Sequence, residues 1–301
     1  MTLKLKLLGV RGSRPTHKVD LLGYGGNSTS MEFIVEGSDY KIFLDGGSGL
    51  AHYGMILGEK PNEKRFHFLI THTHWDHILG FPFFEPMYNP TNSINFYSSK
   101  SSKATFNDLF FGLHKDENLP VPSSQIKAQI HFESIQAGST FLLENQVKVS
   151  CYQINHQGIT LAYRLDLGPD SVAVVTDNAP IENGNYLGEG MSEKSAGDAK
   201  KFEQDFNDGL VNFLKDCNTV VFDTHFTEKN LKVDWGHSTP ARALDFCVKA
   251  GVKRLILFHH APEDLDHDVH EKVESVVHEG RAKNVEVVAA CEGDVWALRT
   301  A

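Results

Sequence analysis

Three imidazoles and one carboxylate fall within six residues in Thr71-His72-Thr73-His74-Trp75-Asp76-His77. Imidazole nitrogen and carboxylate oxygen together make a donor set for zinc, manganese or iron. In an extended chain residues two apart face the same way, so His72 and His74 can address one point. A turn into a helix directly after them brings Asp76 and His77 back toward that point. A polar surface turn rich in histidine is the competing reading. The flanks argue against it, because Phe66-His67-Phe68-Leu69-Ile70 precedes the cluster and Ile78-Leu79-Gly80-Phe81-Pro82-Phe83-Phe84 follows it. Such apolar flanks draw the cluster inward, and buried imidazoles and acids need partners that a metal ion supplies.

The elements that must hold these side chains can be read from periodicity and turn residues. Leu3 to Leu8, Met31 to Glu36 and Tyr40 to Leu44 have the pattern of strands with an antiparallel start, and Gly37-Ser38-Asp39 is a hairpin signal. Phe66 to Ile70 is a strand that runs into the histidine cluster. Phe141 to Leu143, Val147 to Ile154, Leu161 to Leu165, Val172 to Thr176 and Arg254 to Phe258 continue the β pattern. Helices are predicted near 102–113, 200–215, 239–250 and 264–281. The third has Thr239 as N-cap, Pro240 at the first helical position and Gly251 just past its end. The Gly- and charge-rich stretch Asn183 to Asp198 is expected to be an exposed loop. No Pro/Gly/Ser-rich linker divides the chain. The expected organisation is one domain over 1–301, built of two similar halves at about 1–150 and 151–301.

The run from His72 to His77 resembles the H-x-H-x-D-H signature of the metallo-β-lactamase superfamily. The further matches given below are similar to the branch that contains tRNase Z, the phosphoribosyl cyclic phosphate phosphodiesterases and the cyclic-nucleotide phosphodiesterases. The resemblance implies an α/β (α+β) fold, a four-layer αβ/βα sandwich with metals at one edge between two sheets. It also implies the remaining ligands. His156 in Asn155-His156-Gln157-Gly158 follows a strand, Asp177 ends the run from Val172, and His259 ends Leu255-Ile256-Leu257-Phe258-His259-His260. On this reading His72, His74 and His156 hold one ion, Asp76, His77 and His259 hold the other, and Asp177 and a water lie between them. His260 is expected to line the site or support a ligand. Asp45, in Leu44-Asp45-Gly46-Gly47, matches a position that orients a ligand imidazole, although a turn aspartate explains it equally well from the residues alone. The implied cofactors are two divalent ions, zinc first and manganese second.

Two more segments, Asp223-Thr224-His225-Phe226 and Trp235-Gly236-His237-Ser238-Thr239, resemble the paired signature of the tRNase Z-like phosphodiesterases. There an acidic residue orients a histidine that faces the leaving group; this chain has Asp223 where tRNase Z has Glu. The catalytic candidates are therefore Asp76, His237 and Asp223, with His225 and Asn27 expected beside metal or substrate. The chemistry gives each a reason. Water between two cations loses a proton easily, the departing oxygen needs a proton that His237 can give, and a neighbouring carboxylate favours protonated histidine. A helix-capping loop would also account for Gly236 to Thr239. Arg11-Gly12-Ser13-Arg14-Pro15 and Gly25-Gly26-Asn27-Ser28-Thr29-Ser30 match the branch as well, and their backbone N–H groups and arginine could meet phosphate.

Composition narrows the substrate. The 301 residues carry 29 Lys plus Arg against 39 Asp plus Glu, a net charge of −10. An acidic chain does not attract a long polyanion by its overall field. The family's tRNA-processing members grip tRNA with a flexible, basic, Gly/Pro-rich arm, and none stands out here. The insert at about 80–128 is aromatic, mostly core, with a few rings able to stack a base. The first expectation is thus a small or cyclic phosphodiester such as a cyclic nucleotide or a ribosyl cyclic phosphate, with extended nucleic acid disfavoured. The alternatives are a tRNase Z-like RNA 3′-processing endonuclease, and a non-phosphodiester hydrolase of the same fold acting on a thioester or lactone. A redox or non-catalytic metal protein fits less well with a complete ligand set. Cys151, Cys217, Cys247 and Cys291 form no C-x-x-C pair and are expected as free thiols in a reducing compartment. The start MTLKLKLLGVRG lacks the apolar stretch of a signal peptide, and no apolar run reaches the ~20 residues of a membrane span. A cytoplasmic protein is expected, with a homodimer by analogy to relatives.

Overall fold

A computed structural model describes all residues except 22, 59–64, 101–104, 115–121, 196, 300 and 301. The chain divides into two compact units, one of residues 1–136 with 291–296, the other of residues 137–290 with 297–301.

In the first unit, β1 (Leu3–Gly9), β2 (Ser30–Val35) and β3 (Tyr40–Leu44) are antiparallel neighbours. From β3 the order continues through β4 (Arg65–Leu69), β5 (Ser93–Ser99) and β6 (Gln129–Ile135), all parallel. Phe43, Phe68, Phe96 and Phe132 pair in register across these four strands. Their rings stack 4.9, 5.2 and 5.3 Å apart. Phe81, Phe84, Phe106 and Phe110 close over this ladder, so the aromatic insert is the core of the unit. Phe83 and Phe111 remain exposed. Helices α1 (Ser48–Gly58), α2 (Trp75–Ile78) and α3 (Phe106–Leu113) belong here. The helix expected at 102–113 begins after Thr105, whose hydroxyl and Asp108 form a capping box; residues 102–104 lie outside the described residues.

The second unit repeats the plan. β7 (Thr140–Leu143), β8 (Val147–Ile154), β9 (Thr160–Leu167) and β10 (Asp170–Val175) run antiparallel, and β11 (Thr219–Asp223), β12 (Arg254–Phe258) and β13 (Glu286–Ala289) continue in parallel. Every residue of β10, β11 and β12 is buried, as expected of parallel strands covered on both faces. The helices are α4 (Met191–Ser195), α5 (Ala199–Leu214), α6 (Pro240–Ala250) and α7 (Asp266–Ala282). The caps of α6 are as the sequence predicts: the Thr239 hydroxyl accepts from the Arg242 N–H, and Gly251 takes φ +71°. The stretch 183–198 differs from its expectation, because α4 forms within it and buries Met191 and Ser195. The chain closes on β14 (Val295–Ala297), which joins the first sheet beside β1.

All four cysteines are free. Cys151, Cys217 and Cys247 are buried and Cys291 is partly exposed. Among the described residues no helix is long and apolar enough to cross a membrane.

Candidate metal and acid–base site

The candidate side chains of each unit sit at or just beyond the carboxyl ends of strands, where open α/β sheets leave room for ligands. In the first unit, Asp45 follows β3 and Thr71-His72 follows β4. Asp45 is fully buried and gathers three donors: the Thr71 N–H at 2.8 Å, the Thr71 hydroxyl at 2.7 Å and His77 Nδ1 at 2.7 Å. Burial raises its pKa, and the charge and hydrogen bond of His77 offset part of that rise. His72 Nδ1 lies 3.0 Å from the same Thr71 hydroxyl. With Nδ1 engaged in both rings, Nε2 is the nitrogen left to meet a cation.

His74 is the N-cap of α2, and the single turn that follows buries Asp76 and His77. The donor atoms of His72 and His74 come within 4.8 Å of each other, as do those of Asp76 and His77. His74 itself is exposed, so the expected burial of the whole cluster holds for its other members only. Asp76 Oδ2 accepts the Ser13 N–H at 2.7 Å, and Ser13 has φ +60°. Close approach explains Gly47: a Cβ there would lie 2.4 Å from the Asp76 carbonyl oxygen.

The glycine-rich segment does not present its donors to solvent. Glu292 accepts from the Gly26 and Asn27 N–H groups, each at 3.1 Å, and from the Asn27 amide. Asn27 Oδ1 in turn accepts from the Ser48 hydroxyl at 2.8 Å. Arg11 is fully buried and donates to the Gly25 and Leu21 carbonyls. Of the groups expected to meet phosphate in 11–15 and 25–30, the Gly26 and Asn27 N–H groups are taken by Glu292 and Arg11 by backbone carbonyls.

In the second unit, His156 follows β8, Asp177 follows β10, Asp223 ends β11 and His259 follows β12. Asp177 and His259 hold φ +41° and +59°, strained values for residues with a Cβ. Asp177 directs Oδ2 at His156 Nε2, 3.6 Å away, and Oδ1 at His259 Nε2, 3.3 Å away. His156 Nδ1 donates to the Gly236 carbonyl at 3.0 Å. A carboxylate with one oxygen toward each of two imidazoles, one of them oriented from behind, suits divalent-metal ligation.

Asp223 is a hub. Its Oδ2 accepts from His237 Nδ1 at 2.9 Å and from the Asn178 and Ser238 N–H groups at 3.1 and 3.2 Å; Oδ1 accepts the His225 N–H at 2.9 Å. Burial works to raise its pKa, but the charge and hydrogen bond of His237, joined by His259, outweigh it and leave the pKa lowered. His225 stacks on His237 with centroids 4.5 Å apart and an interplanar angle of 18°. Burial, then the charges of His237 and His259, push the pKa of His225 down to about 3, so it is neutral at ordinary pH. The donor atoms of His225, His237 and His259 also approach within 4.8 Å. Stacked rings, however, aim their in-plane lone pairs side by side and not at one cation. His260 is buried with Nε2 3.0 Å from the Ala290 carbonyl, a bond that ties it to the segment after β13.

Ser13, read in the sequence as part of a segment to meet phosphate, gives its N–H to Asp76 instead. Two contributors escaped the sequence reading, Glu292 and Lys272. Only Lys272 left a trace there, as a lysine on the buried stripe Val269, Lys272, Val276 and Gly280 of α7.

No protein-family model matches the chain. It is 25% identical over 267 residues to ribonuclease Z of Sulfolobus acidocaldarius, which covers 80% of this chain and 87% of that protein. Among solved structures it resembles the metallo-β-lactamase-fold protein YhfI of Bacillus subtilis, with a TM-score of 0.68, 16% identity and 98% of each chain covered. It also resembles the short form of human tRNase Z, with a TM-score of 0.63, 15% identity, and 99% of this chain and 100% of that chain covered. The chain has the metallo-β-lactamase fold. In sequence it is similar to ribonuclease Z.

Proposed function

We propose that this chain is a metal-dependent phosphodiester hydrolase of the tRNase Z kind, cutting RNA near a 3′ end. The observation that carries the reading is the buried Asp223–His237 pair at 2.9 Å, in a chain whose sequence relative is a ribonuclease Z. The proposed ligands are those implied by resemblance: His72, His74 and His156 for one divalent ion, Asp76, His77 and His259 for the other, with Asp177 shared. Zinc suits these donors best and manganese also fits. Two such ions, when bound, lower the pKa of water and neutralise phosphate oxygens. The chain's own residues do the rest. Asp45, Thr71 and the Gly236 carbonyl fix imidazole orientation. Asp223 holds His237 by Nδ1 and favours its protonated form, leaving Nε2–H to protonate the departing ribose oxygen.

Charge had favoured a small or cyclic phosphodiester. The relatives shift the balance to RNA, and the small substrate becomes the second reading, supported by the net charge of −10. A metal-reconstituted panel tests both, with precursor tRNA, cyclic mononucleotides, cyclic dinucleotides, ribosyl cyclic phosphate and bis(p-nitrophenyl) phosphate. Cleavage of precursor tRNA that weakens steeply with salt supports the first reading. Turnover of the small diesters alone supports the second. No turnover of any diester by protein with metal bound overturns both.

A further inference from the structure

We infer that Lys272, paired with Asp264, is a positioning residue that clamps the two loops carrying Asp223 and His259. Lys272 lies on α7, 48 residues from Thr224 but only 8 from Asp264 in sequence, and is only 2% exposed. Its ammonium donates to the Thr224 carbonyl at 2.8 Å, the His225 carbonyl at 2.7 Å and the Asp264 carboxylate. Burying an ammonium costs several kcal/mol unless its protons are matched, and here all three are.

The partners give the clamp its meaning. Thr224 and His225 follow Asp223, and the N–H groups of residues 224 to 226 are already committed. Thr224 donates to the Phe258 carbonyl at 2.9 Å, His225 to Asp223 at 2.9 Å and Phe226 to the Ser238 carbonyl at 3.1 Å. Lys272 supplies donors to the carbonyl side of the same turn. Asp264 meanwhile accepts the Ala261 N–H at 3.1 Å, two residues beyond His259. His259 sits at φ +59° and needs its surroundings to hold it there. One buried ion pair therefore fastens the turn after β11 to the turn after β12. Asp223, with its hold on His237, and the strained His259 stay in place because those turns cannot relax.

The catalytic part of this inference rests on the phosphodiesterase reading; the positioning part does not. The test uses zinc-loaded full-length protein with 15N-labelled histidine. Lys272→Met removes the charge with little loss of volume, Lys272→Arg keeps a donor, and Asp264→Asn loosens the second turn. In the wild type, His237 should show the 15N shifts of a ring whose Nδ1–H is bonded to carboxylate. The expected result is that Lys272→Met, folded by circular dichroism, loses that signature, and that Lys272→Arg restores it at least in part. If Lys272→Met does not fold, Asp264→Asn decides by the same signal. On whichever diester is turned over, kcat should fall on the order of 10–100-fold with KM within about twofold. A folded Lys272→Met with unchanged His237 shifts overturns the inference, even if no substrate is ever found. Changed shifts in a protein inactive on every diester sustain it while removing the functional reading.

Discussion

The carbonyl of Gly236 accepts the Nδ1–H of His156 at 3.0 Å, so the residue before the proposed acid orients a proposed metal ligand. A Cβ on Gly236 would lie 2.0 Å from that same Nδ1, and the backbone there has φ +80°. Gly236→Ala is therefore expected to displace His156 and weaken metal binding on the order of 10–100-fold. Competitive zinc titration with a chromophoric chelator measures it; unchanged affinity with His156 undisturbed would show that the contact is incidental.

The Asp223–His237 pair makes a prediction about leaving groups. His237→Ala should slow cleavage of esters with poorly acidic alcohols by roughly 10²–10⁴-fold. It should slow p-nitrophenyl esters far less, since p-nitrophenolate departs without a proton. Paired rate measurements decide, and equal losses on both would remove His237 as the acid. Asp223→Asn should show the same asymmetry, because it leaves the ring without its carboxylate.

Asp45 bonds His77 and Thr71, which places it to orient a proposed ligand and not to be one. Asp45→Asn keeps the size and loses the charge that draws the His77 Nδ1–H. Metal content after dialysis against a weak chelator should fall, with affinity down about 10–100-fold, while the circular dichroism spectrum is retained. Full metal retention would assign Asp45 to the turn alone.

The buried thiols predict an alkaline limit. Burial pushes Cys217 up to about 11 and raises Cys247 as well. In the unfolded chain a thiol ionises near ~8.5, so above that pH the unfolded state binds fewer protons than the folded one. Stability should fall as pH rises from there toward 11, by up to about 1.4 kcal/mol per pH unit for each such thiol. Denaturant titrations at pH 8 to 10.5 test this, and Cys217→Ala should show a shallower decline than the wild type.

Phe96 stands in the middle of the phenylalanine ladder, stacked on Phe68 and Phe132. Phe96→Ala should cost about 3–5 kcal/mol by leaving a cavity among rings. Urea unfolding measures it, and a loss below ~1 kcal/mol would mean the neighbouring rings collapse into the space.

Some of this protein was legible in its sequence because the signal is local. Two-residue periodicity and one helical turn are enough to group His72, His74, Asp76 and His77, and the ends of α6 follow from Thr239, Pro240 and Gly251. Asp177 and His259 could be named only by their order along a resembled pattern. The backbone reversals that aim them, at φ +41° and +59°, leave no mark in residue type. Net charge pointed to a small substrate where the ribonuclease Z relatives point to RNA, because net charge sums over the whole surface and says little about one cleft. The tertiary structure alone decided the rest. Glu292 occupies the N–H groups of Gly26 and Asn27 from more than 260 residues away, and Lys272 reaches Thr224 across 48. Such contacts depend on how strands stack and helices cross, and periodicity within a dozen residues carries no information about either.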